Sequence, residues 1–151
     1  MGDEQRNKDI VRKVEQLWID NKLDDLDQYF QDDQSHDRPP GVPQGIAGAK
    51  MAHMGAMQSF KDRKLVMKDI FAEGDKVFVR STFSAQYMGG VPGVPAPASG
   101  TPIKDIESWS VYRLKDGKIV EHWGLNDGFM IAIQAGAFAM PVMAGTPVGR
   151  G

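Results

Sequence analysis

The chain has 151 residues, with 18 Lys and Arg against 20 Asp and Glu, for a formal net charge of −2. That length suits one domain with its own core, and 41% hydrophobic with 25% charged residues is a globular balance. No cysteine is present, which excludes a disulfide framework, a thiol nucleophile and a Cys-type zinc site, and the near-neutral charge supplies no field to attract nucleic acid.

The first ten residues, MGDEQRNKDI, lack the apolar run of a signal peptide. No stretch reaches the ~20 apolar residues of a membrane-spanning helix, so the expected setting is the cytoplasm, with no membrane partner. From Asp3 to about Asn21, the residues Ile10, Val14, Leu17 and Trp18 recur at i, i+4, i+7 and i+8, which predicts an amphipathic helix. Leu23–Phe30 repeats the pattern through Leu23, Leu26, Tyr29 and Phe30. Asp32–His36 is short and polar, a strand or an arm. Arg38-Pro39-Pro40-Gly41-Val42-Pro43 is a turn-rich loop. A further helix is predicted from Gln44 to Phe60, with Ile46, Ala49, His53, Met54, Met57 and Phe60 along it; its methionines fill irregular gaps.

After Asp62 the period becomes two, and Leu65, Met67, Asp69 and Phe71 alternate with Val66, Lys68 and Ile70. Glu73-Gly74-Asp75 is a hairpin turn leading into a long strand, Lys76–Tyr87. Met88–Gly100, rich in Gly and Pro, is a loop. Thr101–Leu114 is the next strand, Asp116-Gly117 the next hairpin turn, and Lys118–Asp127 the last strand. Phe129–Met140 is a helical tail, and the end is frayed from about residue 141. Helices followed by a meander predict a single α+β domain over residues 1–151, with N-terminal helices packed on one face of a curved antiparallel sheet. Such a cone has an interior cavity, the natural place for a ligand.

Several segments resemble the SnoaL-like polyketide cyclases, also called ester cyclases, of the nuclear-transport-factor-2-like superfamily. They are the opening helix ending in Leu17-Trp18 and followed by Asn21-Lys22-Leu23-Asp24; His36-Asp37-Arg38-Pro39-Pro40-Gly41; Glu73-Gly74-Asp75-Lys76-Val77; and, most distinctive, Asp116-Gly117-Lys118-Ile119-Val120-Glu121-His122-Trp123. The resemblance implies a cone-shaped α+β fold, a homodimer, and an intramolecular aldol or related ring closure without metal or organic cofactor. It also implies a proton-transferring Asp immediately after the Trp of the last strand, where this chain has Gly124, and polar partners on the preceding strand near Ser108 and Ser110.

Period two on the last strand sorts Val120, His122, Gly124 and Asn126 from Ile119, Glu121, Trp123 and Leu125. Composition buries the second set, whereas the resemblance turns the first toward the cavity; a dimeric cone accommodates both. His122 is the candidate base, because an imidazole is the side chain suited to taking and giving a proton near neutral pH. His36 either orients a ligand or caps the turn that follows. His53 reads as a packing residue. Ser108, Ser110 and Asn126 are candidate donors to ligand oxygens, although strand serines also serve simply to hydrate an open face. Trp18 and Tyr87, with Trp109 and Trp123, form either a ligand wall or ordinary core. Glu107 and Asp105 fall on the face opposite Ser108. The loop over 88–100 is a long hairpin connection or a lid.

The sequence therefore supports a cofactor-free enzyme acting on a hydrophobic, oxygenated, polyketide-like molecule. A non-catalytic binder or accessory subunit, given Gly124, and a dimerising module remain as rivals. A cavity of a few hundred Å³ separates the first two from the third. Apolar residues on both faces of the long strands, among them Phe78, Phe83, Trp109 and Val111, predict that the outer sheet face is covered in a homodimer.

Overall fold

The structure is a computed structural model that describes residues 2–36, 38 and 40–137. The end of the expected helical tail and the expected frayed segment lie outside the described residues. Helix α1 spans Gly2–Ile19 and buries Val11, Val14 and Leu17. It stops where Asn21 adopts a left-handed φ of 55° and the Lys22 N–H returns to the Leu17 carbonyl at 2.9 Å, a cap that Asn tolerates without a glycine. The predicted second helical segment is a 3-10 helix, Leu23–Tyr29, pinned by the fully buried Leu26. The polar stretch after it is a strand, β1 (Phe30–Ser35), and α2 spans Gly45–Ser59.

Strands β2 (Phe60–Glu73), β3 (Lys76–Tyr87), β4 (Thr101–Lys115) and β5 (Lys118–Asn126) form the expected antiparallel meander. The sheet as a whole departs from the expectation, because β1 pairs with β5 in parallel, through Phe30 opposite Ile119 and Ser35 opposite His122. The order is β1-β5-β4-β3-β2, and α2 touches both outermost strands. The chain thus crosses from one edge of the sheet to the other through α2, and the meander then returns to β1. Short α3 (Gly128–Gln134) closes one end; Asp127 is its cap, accepting from the Met130 N–H at 3.0 Å.

The inner face carries two apolar clusters. One joins α1 to Val77, Val79, Tyr112, Leu114 and Ile119; the other gathers Phe83, Tyr87, Ile103, Ile106 and Ile131. Strict alternation does not hold along the strands, because extra residues interrupt the pairing. In β5, Ile119 pairs with Leu114 and Glu121 with Arg113, so Val120 is a bulge. That bulge lets Ile119 and His122 both point inward, which the two-face sorting had separated. Lys68 does the same in β2, turning Ile70 and Ala72 inward beside Met67 and leaving Phe71 outside. The loop over 88–100 folds back on the second cluster. The Tyr87 hydroxyl donates to the Val94 carbonyl and accepts from the Val91 N–H, both at 3.2 Å.

Gly48 in α2 lies against the preceding loop: a Cβ there would stand 1.7 Å from the Pro43 carbonyl oxygen, whereas Gly55 on the same helix faces open space. Gly48→Ala is therefore expected to destabilise the fold by roughly 1–3 kcal/mol, as overpacking does. Gly55→Ala is expected to be neutral or to add up to about 1 kcal/mol through helix propensity. Denaturant unfolding of the two variants checks both signs.

Candidate functional site

Between the helices and the inner sheet face lies a cavity of about 330 Å³. Helix α1 contributes Glu15 and Trp18, one turn apart on the face that also buries Val11 and Val14. Helix α2 contributes His53 together with Ala49, Ala52 and Ala56, whose small side chains leave room beneath the helix. Strand β2 supplies Arg63 and Leu65, β4 supplies Ser108, Ser110 and Tyr112, and β5 supplies His122, Gly124 and Asn126.

Of the residues singled out in the sequence, Trp18, Ser108, Ser110, His122, Gly124 and Asn126 line this cavity. Gly124 stands directly across from Ser110 in the β4–β5 ladder, and His122 across from Tyr112. Tyr87 lies elsewhere, fully buried in the second cluster with its hydroxyl holding the 88–100 loop. No residue of that loop is among those lining the cavity; Val91 and Val94 pack on the second cluster. His36 lies outside as well, stacked on Trp123 at 4.6 Å with its Nε2 2.6 Å from the Glu121 carboxylate. That contact and Arg113 hold the Glu121 carboxyl below its ordinary range. Trp109 and Trp123 are outer-face residues; the indole of Trp109 donates to Glu107.

The cavity contains three charged or titratable groups that periodicity alone passed over. Glu15 is buried within α1 and accepts a 2.6 Å hydrogen bond from the Tyr112 hydroxyl. Burial pushes its carboxyl above the ordinary value, against the Tyr112 hydrogen bond and the fields of Arg63 and His122. The signal for it was present: a glutamate one residue after Val14 and three before Trp18 sits inside the apolar stripe. Arg63 is turned inward by a second bulge in β2, where Asp62 takes a φ of 53°. Its guanidinium lies over the Phe83 ring at 5.8 Å. His53, expected to be a packing residue, faces the cavity beside Trp18 with ring centroids 5.0 Å apart. Burial, and secondarily Arg63, lower its pKa to about 4, so it is neutral at pH 7. Its buried Nε2 has no hydrogen-bond partner among the described residues.

His122 stacks on the Tyr112 ring at 5.9 Å and meets the Phe30 edge at 6.5 Å. Its carbonyl accepts from the His36 N–H at 2.9 Å, tying β1 to the strand that carries the site. Among the described residues, no three His, Asp or Glu side chains are grouped closely enough to hold a metal ion. No helix among them is long and apolar enough to cross a membrane.

The family model described as SnoaL-like polyketide cyclase matches residues 8–135. The chain belongs to the SnoaL-like polyketide cyclase family. TsrD from Streptomyces laurentii is similar in structure, at 24% identity over 89% of this chain and 97% of that one, with a TM-score of 0.74. Wild-type IdmH from Streptomyces antibioticus is 24% identical over 86% and 98%, with a TM-score of 0.72. A SnoaL-like polyketide cyclase from Agrobacterium tumefaciens is 16% identical over 83% and 94%, with a TM-score of 0.69. At these identities the likeness is one of fold. No curated protein matches the sequence.

In this SnoaL-like domain, then, the cavity carries its carboxyl on the helical roof at Glu15 and none at Gly124. The depressed His53 pKa has a thermodynamic consequence. A histidine neutral in the fold binds its proton earlier in the unfolded chain, so stability is full above pH 6.5 and drains as pH falls through about 4. His53→Gln is expected to flatten the fall of the thermal midpoint across that window relative to wild type. Equal slopes in the two proteins would show that His53 does not titrate this way.

Proposed function

We propose that this SnoaL-like domain is an enzyme that moves a proton beside a carbonyl of a hydrophobic, oxygenated, polyketide-like molecule and so closes a ring by aldol addition. One observation carries the reading: a buried carboxyl, Glu15, shares the cavity with His122, Ser108 and Ser110, although position 124 has no acid. An aldol closure needs a base, donors for the enolate oxygen and an acid for the alkoxide. His122 takes the α-proton. Ser108, Ser110 and Asn126 donate to the oxygens. The enolate carbon attacks the second carbonyl, forming the carbon–carbon bond. Glu15, whose carboxyl burial pushes above its ordinary value, gives its proton to the alkoxide and regains one from His122. The product is an isomer of the substrate, and no electrons are exchanged with a partner.

The rival reading, a binder without chemistry, rests on Gly124, and one experiment separates the two. In deuterium oxide, proton NMR follows isotope uptake at C1 of 2-tetralone, a compact bicyclic ketone with an acidic C–H. Wild-type protein is expected to accelerate uptake above buffer, and His122→Ala to lower that acceleration by about 10²–10⁴-fold. Uptake at the buffer rate in the presence of bound 2-tetralone would leave the binder.

The reading includes a homodimer through the outer sheet face. Val66, Phe71, Trp109 and Leu125 are exposed there, Leu125 to 68%, and Phe78 bridges Phe71 and Trp109 by ring contacts of 4.7 and 5.9 Å. Around them Arg80 is held by Asp69 and Glu107, and Arg113 by Asp75 and Glu121, so the surrounding charges are largely internally paired. An apolar patch of this kind is covered in stable proteins. Light scattering at micromolar concentration is expected to give a dimer for wild type and a monomer for Phe71→Asp/Trp109→Asp with unchanged circular dichroism. A wild-type monomer would overturn the pairing.

A further inference from the structure

We propose that the ligand of this cavity is a carboxylic acid in its anionic form, an apolar body bearing one carboxylate, and that Arg63 is the residue that receives it. The inference rests on the reading of the cavity as a small-molecule site and names the chemistry that site selects.

Arg63 lies in a strand whose neighbours Phe60 and Leu65 are apolar and pack on the inner core. The chain spends a left-handed Asp62, with a φ of 53°, on the bulge that turns Arg63 to that inner face. A non-glycine residue in that region costs energy and persists only where the surroundings enforce it. The guanidinium arrives over the Phe83 ring and forms no hydrogen bond or ion pair with any described residue. A guanidinium has five N–H donors in a fixed fork and does not shed its proton, so it cannot escape the cost of burial by neutralising.

The rest of the cavity lining does not supply the missing anion. Glu15 is the only acidic residue among the lining residues, and its Oε1 is occupied by the Tyr112 hydroxyl. Its field reaches Arg63, yet burial outweighs it and lowers the Arg63 pKa. His53, neutral at pH 7, adds no negative charge. Among the lining residues Arg63 thus faces one glutamate that burial drives toward its neutral form. A carboxylate complements the arginine fork with two parallel hydrogen bonds and is held most strongly where water is excluded. Trp18, Phe30 and Leu65 give the same space apolar walls, and about 330 Å³ is far more than a bare inorganic anion fills. The anion is therefore one end of a larger apolar molecule.

The test compares 2-naphthoic acid with its methyl ester, equal in ring and differing in charge, by calorimetry near neutral pH. Wild-type protein is expected to bind the acid about tenfold or more tighter than the ester. Arg63→Met, checked for fold by circular dichroism, is expected to remove that preference while leaving the ester affinity within about threefold. Glu15→Gln, which leaves no ionisable carboxyl among the lining residues, is expected to keep the preference for the acid over the ester. Equal affinity for acid and ester in wild type overturns the proposal without touching the reading of the cavity as a ligand site. An unchanged preference in Arg63→Met overturns the assignment to that residue. If neither compound binds at roughly 1 mM, the small-molecule reading of the cavity falls together with this one.

Discussion

The hydrogen bond from the Tyr112 hydroxyl to Glu15 joins the helical roof to the sheet, and the site is organised around it. A carboxyl buried inside an amphipathic helix is costly unless a partner meets it, and one removed from its partner costs more still. Tyr112 meets it from β4, which fixes the rotation of α1 over the sheet and with it the placement of Trp18. Tyr112 also stands opposite His122 in the ladder and stacks on its ring. The carboxyl, the imidazole and the phenol are thereby placed by one helix–strand contact and one strand pairing, with no loop involved.

Register irregularities perform the second part of this placement. A regular strand commits alternate residues to one face for its whole length. Here Val120 shifts the parity of β5, Lys68 shifts that of β2 midway, and Asp62 shifts it near its start. Each shift lets one strand serve two purposes: an apolar stretch that seals the core, and a polar stretch that faces the cavity. The same shifts add twist and bend, which is how five strands wrap partly around a ligand-sized space.

These irregularities also explain what the sequence disclosed and what it withheld. The order of elements, the meander after Asp62 and both hairpin turns follow from periodicity and turn chemistry, although the meander's first strand begins two residues earlier, at Phe60, the expected last residue of the helix. The parallel seating of β1 does not, because Asp32–His36 has no apolar pattern to declare a strand, and its partner lies far along the chain. His122, Ser108, Ser110 and Asn126 were placed in the cavity through the resemblance, against a composition that would have buried their neighbours. Glu15 and Arg63 escaped because a charge within an apolar pattern reads as an interruption, and a bulge leaves no mark in the residue types around Asp62. Tyr87 and His36 went the other way: chemically suited to a ligand, each is occupied by its own neighbours, the 88–100 loop and the Trp123–Glu121 pair.

The parallel pairing of β1 with β5 has a consequence for how the molecule comes into being. Among strands β2 to β5 every pairing joins sequence neighbours, so these four can zip together by hairpin steps. Strand β1 has no neighbour in the sheet except β5, the last strand made. A chain growing from its N-terminus holds β1 without a sheet partner until β5, which ends at Asn126, has emerged, whereas α1 meets β2 and β3 before that. Closure of the cavity thus waits for β5, and the intermediate that precedes it is a docked amphipathic helix beside an open edge on β4. Truncated chains lacking β5 would keep that state, with β4 as an unpaired edge and β1 with no strand to join.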